Sequence, residues 1–85
     1  MSYTLRFERV AQKALQKKIH PQDAGRIRDA LEALADDPYP RQSLKLRDRG
    51  GYRLRVGDYR VIYDVDEADE VVTILQVGHR QSIYG

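Results

Sequence analysis

Thirteen residues near the middle of the chain, Gly51 to Tyr63, alternate apolar and polar side chains on both sides of a Gly57-Asp58 pair. A glycine-first dipeptide between two alternating runs predicts a two-residue hairpin of type II′. That turn sets the register: Val56 faces Tyr59, Arg55 faces Arg60, Leu54 faces Val61 and Arg53 faces Ile62. Side chains alternate with period 2, so Arg53, Arg55 and Arg60 share one face. Tyr52, Leu54, Val56, Tyr59, Val61 and Tyr63 share the other. One face suits a core; the other is cationic. Like charges directly across a strand pair cost a few tenths to about 1 kcal/mol, so stability alone does not call for Arg55 opposite Arg60. An anion is the natural missing partner.

The charge distribution repeats this. The net charge is only +2, but from Arg41 to Arg60 there are seven basic residues (Arg41, Lys45, Arg47, Arg49, Arg53, Arg55, Arg60) against Asp48 and Asp58. The next stretch, Asp64 to Glu70, holds five acids and no base. A polarised surface of this kind favours phosphate-bearing partners. Other chemistries find no support. The chain has no cysteine, which excludes disulfides, thiol nucleophiles and cysteine zinc sites. His20 and His79 are too far apart, and the acids too scattered, for metal-ligand spacing, and no phosphate-cradling glycine loop is present. No cofactor or metal is expected. No window approaches the roughly 18 apolar residues of a membrane helix, nor is there a signal-peptide stretch, so a soluble, cytoplasmic protein is expected.

Ser2 to Phe7 alternates as an opening strand. Ala11, Ala14, Leu15 and Ile19 fall at helical spacing and predict a helix from Glu8 to Lys18. His20-Pro21 interrupts it, and Pro21 opens a second helix with Asp23 in its first turn and Ala24, Ile27, Leu31 and Leu34 along one stripe, ending at Asp37-Pro38. Leu44 to Leu46 reads as a short strand, the charged hairpin follows, and Glu70 to Val77 is apolar enough for a central strand. Gly78 to Tyr84 closes as an irregular or briefly helical tail. The fold class is α+β in the order β-α-α-β-β-β, a two-helix hairpin on a small, mostly antiparallel sheet of four to five strands, with residues 1–85 as one unit.

Each candidate site has a plainer alternative. Arg53, Arg55 and Arg60 present guanidinium forks that match phosphate oxygens; the alternative is a solvated sheet face paired with Asp58 or Asp64. His79 can titrate near neutrality and act as acid or base beside a phosphate; the alternative is a lone histidine in a frayed tail. Tyr84 reads equally as a hydrophobic anchor, His20 as a loop residue, and the Asp64–Glu70 block as a solvated turn rather than a cation site.

The pattern from Tyr52 to Tyr63, followed by Val77-Gly78-His79-Arg80 and Tyr84, resembles the RelE/ParE toxin superfamily of bacterial and archaeal toxin–antitoxin modules, the RelE branch best. The resemblance covers nearly the whole chain. It implies a ribosome-dependent mRNA endoribonuclease that cuts in the A site by attack of a ribose 2′-hydroxyl, with no metal. Its implied partners are the ribosome and mRNA and a cognate antitoxin that wraps the toxin into a hetero-oligomer. Arg60 and Arg80 then contact the scissile phosphate, Tyr84 matches the catalytic tyrosine, and His79 sits where a basic residue is found. Arg53 and Arg55 stand where some members place lysines, and with Lys45 and Arg47 they are the expected RNA-binding set. Arginine does not readily release a proton, so proton transfer falls to His79, Tyr84 or ribosomal RNA. Two rivals follow from the same resemblance: a ParE-like inhibitor of DNA gyrase, and a catalytically inactive RNA- or antitoxin-binding module.

Overall fold

The computed structural model describes residues 2–48 and 50–83. Its elements run β1 (Thr4–Phe7), α1 (Arg9–Lys13) continued by a π-helical turn (Ala14–Lys18), α2 (Pro21–Asp36), β2 (Ser43–Lys45), β3 (Tyr52–Val56), β4 (Tyr59–Asp66), β5 (Val71–His79) and α3 (Arg80–Ile83). The five strands form one sheet in the order β1-β5-β4-β3-β2. All pairings are antiparallel except β1 with β5, where Thr4 lies opposite Val71.

The expected α+β order stands, with three refinements. The first helix is closed by an Ile19 N–H bond to Ala14 O at 3.1 Å, the wider spacing of a π turn, just before the proline-led restart. The last strand reaches His79, two residues beyond the expected end. Its register against β4 also slips once: Ile62 pairs with Gln76, yet Tyr63 pairs with Ile74, so Leu75 is a bulge residue.

Helices cover one face of the sheet. Ala11, Leu15, Ile27, Leu31 and Leu34 pack against Leu54, Val61, Tyr63, Val72, Ile74 and Val77, all buried. Fully burying a side chain of this size contributes roughly 1.5–3 kcal/mol, which is what holds the helix pair on this face. Tyr63 crosses the layer and donates its hydroxyl hydrogen to Pro38 O at 2.6 Å, tying the end of α2 to the sheet. The α2 start is capped by His20, whose Nδ1 accepts the Gln22 N–H at 3.1 Å, with Pro21 at the first helical position.

The hairpin has the expected register, Arg55 opposite Arg60 and Val56 opposite Tyr59. Gly57 carries φ 57° while Asp58 stays out of the left-handed region, the type II′ pattern. The acidic stretch is a self-capped turn: Asp66 Oδ1 accepts the Asp69 N–H at 3.0 Å, and Glu70 O receives the Thr4 N–H that starts the parallel pair.

Candidate nucleic-acid interface

The sheet face away from the helices carries Arg53, Arg55 and Arg60, brought together by register alone. They line an open pocket of about 300 Å³ with Arg41, Gln42 and Leu44, so four arginines surround it and none of its described lining residues is an acid. Ile62 is only 2% exposed although it lies on this face, flanked in register by Arg53 and Gln76, whose long stems can cover it while their polar ends reach outward.

Arg60 is half-buried and pre-set. Its Nη1 donates to Gly57 O and to Tyr59 O, both at 2.9 Å, so the tight turn holds the guanidinium against the hairpin and leaves its other donors for a ligand. Gly57 thus does two jobs, supplying a left-handed turn and a carbonyl. Arg55 is exposed across from it.

The tail returns to the same corner. Gly78 is the registered partner of Arg60, and the Arg80 N–H donates to Asp58 O at 2.8 Å. Ile83 Cδ1 lies 3.8 Å from where a Cβ on Gly78 would stand, so α3 folds over the arginine side of the sheet. Arg80 is exposed at its first residue. Tyr84 lies outside the described residues.

Two expected members are elsewhere. The bulge at Leu75 re-phases β5, so His79 pairs with Tyr59 on the helix-covered side, where the rings meet edge-on with centroids 5.8 Å apart. Arg60 and His79 therefore start from opposite faces. Lys45 is registered with Tyr52 in the helix-side row, and Leu44 takes the place beside Arg53. Arg47 is exposed in the connection to β3. Arg41, counted in the basic run but given no individual role, lines the pocket; its place before a three-residue edge strand is the signal that pointed there.

A second, smaller pocket of about 190 Å³ lies between the start of α2 and the hairpin turn, lined by Asp23, Arg26, Asp58, Tyr59 and His79 among others. Tyr59 donates its hydroxyl hydrogen to Asp23 Oδ2 at 3.1 Å, and burial together with this bond pushes its pKa up. Among the described residues no cluster of acids and histidines could hold a metal ion, and no helix is long and apolar enough to cross a membrane.

Solved structures share this architecture. The chain superimposes on the toxin–antitoxin complex RelBE2 from Mycobacterium tuberculosis with a TM-score of 0.82 and 32% identity, covering 94% of this chain and 100% of that one. Against the archaeal RelE–RelB complex from Pyrococcus horikoshii the TM-score is 0.83 with 33% identity, covering 96% and 99%. The isolated E. coli RelE toxin gives 0.79 with 25% identity, covering 98% and 92%. The fold is that of the RelE-type toxins. Toxin RelG of Mycobacterium tuberculosis is 33% identical over 85 residues, 99% of this chain and 98% of that protein. The family model described as "ParE toxin of type II toxin-antitoxin system, parDE" matches residues 4–84, and the chain belongs to this RelE/ParE family of type II toxins.

Proposed function

We propose that the protein is a ribosome-dependent mRNA endoribonuclease whose site is the arginine corner. The observation that carries this reading is the pocket of Arg41, Arg53, Arg55 and Arg60, with no acid among its described lining residues, Arg60 held by turn carbonyls and the Arg80 backbone tied to the same turn. Four guanidinium groups around one open pocket suit a phosphodiester backbone better than a neutral substrate.

In the reaction the ribose 2′-oxygen attacks the adjacent phosphorus, the P–O5′ bond breaks, the 2′-hydroxyl proton passes to a base and the departing 5′-oxygen takes up a proton. The products are a 2′,3′-cyclic phosphate and a 5′-hydroxyl end. Negative charge grows on the phosphoryl oxygens during attack, and each guanidinium aimed there contributes about 2.7–4 kcal/mol by analogy with an oxyanion donor. Arg60 and Arg80 take this role, and Arg53 and Arg55 hold the flanking backbone. Arginine stays protonated, so the proton carriers are Tyr84 and groups of the ribosome. The partner that silences the enzyme is an antitoxin of the RelB kind, as in the complexes it resembles.

The test is primer extension on translated mRNA in a purified translation mixture. Wild type yields A-site cleavage ends, while Arg60→Ala and Arg80→Ala lower the rate by about a hundredfold or more and relieve growth inhibition with the fold intact. Fully active variants would show that the site is misplaced. A second reading, gyrase inhibition without RNA cleavage, draws on the ParE name of the family model; it predicts DNA damage and no A-site ends.

A further inference from the structure

The chain has two histidines, and both make the same bond. His20 Nδ1 accepts the N–H two residues on, Gln22, at 3.1 Å where α2 begins; His79 Nδ1 accepts the N–H two residues on, Gln81, at 3.3 Å where α3 begins. For α2, sixteen residues with a buried stripe, that cap is one support among many. For α3 it matters more. A four-residue helix has almost no cohesion of its own, so contacts from outside must set its direction.

Those contacts form a chain reaching back to α2. Asp23 Oδ2 accepts the Tyr59 hydroxyl at 3.1 Å, the Tyr59 ring meets the His79 ring edge-on at 5.8 Å, and His79 holds Gln81. Beside it the Arg80 N–H is fixed to Asp58 O at 2.8 Å, and beyond it Ile83 rests over Gly78.

We infer that Asp23, Tyr59 and His79 form a latch that aims α3, and with it Arg80, at the arginine corner: His79 is a positioning residue and not the proton carrier of the reaction. Its ring lies on the far side of the sheet from Arg55, and its Nδ1 is already committed to an amide. The assignment to catalysis rests on the ribonuclease reading; the latch itself does not.

The test pairs two substitutions in the full chain. An asparagine side-chain carbonyl can accept the amide two residues on but cannot shuttle a proton, whereas alanine can do neither. His79→Ala should speed amide exchange at Gln81 and Ile83 by about three- to tenfold, the worth of one hydrogen bond, and slow mRNA cleavage by about the same factor. His79→Asn should recover most of both. Tyr59→Phe, which keeps the ring against His79 but releases Asp23, should loosen the tail amides by about two- to threefold. Unchanged exchange in β4 and β5 shows that the sheet is intact. The latch is overturned if His79→Ala leaves tail exchange unchanged, and the positioning role if His79→Asn restores exchange but cuts no faster than His79→Ala. Should wild type cut no mRNA, the ribonuclease reading fails and the exchange data still decide the latch.

Discussion

Arg55 and Arg60 stand directly opposite each other in the β3–β4 ladder, two like charges at the shortest cross-strand distance a sheet offers. Arg60 answers part of the conflict by folding onto the carbonyls of Gly57 and Tyr59, while Arg55 stays exposed. On the proposed ribonuclease reading, stability and function pull apart here. Arg55→Thr, which keeps strand propensity, should raise unfolding free energy by a few tenths to about 1 kcal/mol and slow cleavage by about tenfold. Denaturant melts and cleavage assays on the same preparation check the pair of signs.

RNA affinity should follow the register and not the count of basic residues. Each phosphate contact to single-stranded RNA adds about −0.7 to the slope of log K against log salt. Arg41→Ala, in the pocket wall, should flatten that slope by about one contact. Lys45→Ala, in the Tyr52 row, should leave it unchanged.

Two glycines near the hairpin bear different constraints. At Gly57, φ is 57° but a Cβ would meet only the Arg26 guanidinium at 3.6 Å, so Gly57→Ala costs the left-handed penalty, about 1–2 kcal/mol. At Gly51, φ is 95° and a Cβ would lie 2.9 Å from Tyr63 O and 2.8 Å from Asp64 Oδ1. Gly51→Ala must move backbone as well, and should cost more than Gly57→Ala in thermal melts.

Alkaline pH should weaken the fold. Tyr63 is held above the ordinary tyrosine value of 10.0 by burial, Tyr39 by burial and then its bond to Glu67, and Tyr59 by burial and then Asp23. The folded pKa is the higher one, so the unfolded chain loses these protons first. The stabilisation is complete below 10 and disappears as pH climbs through the folded values. Tyr63, fully enclosed, should dominate; Tyr63→Phe should flatten the alkaline limb of a stability curve while costing about 1 kcal/mol at neutral pH for the lost bond to Pro38.

The hairpin was legible in the sequence because its turn chemistry and its period-2 pattern agree, and every expected pair from Arg53–Ile62 to Val56–Tyr59 is present. Both helices were legible through their apolar spacing and Pro21. What could not be read was phase beyond the bulge. Counting by twos from Val72 and Ile74 puts Gln76 and Gly78 toward the helices and His79 beside Arg60; the extra residue at Leu75 reverses that, and no residue type between Leu75 and Val77 announces it. The parallel partner of β1 was equally hidden, because such pairing joins segments far apart in sequence with no turn to mark it.

That pairing carries its own consequence. β1 sits at the rim of the sheet and, among the described residues, pairs with β5 alone, with Thr4 against Val71. The helices and the hairpin can gather from neighbours in sequence, yet the first strand has nowhere to go until the last one exists. Long-range closure of this kind slows folding. It also means that β5 clasps the chain's opening strand along one side and supports Arg60, through Gly78, along the other, so loosening it undoes both together.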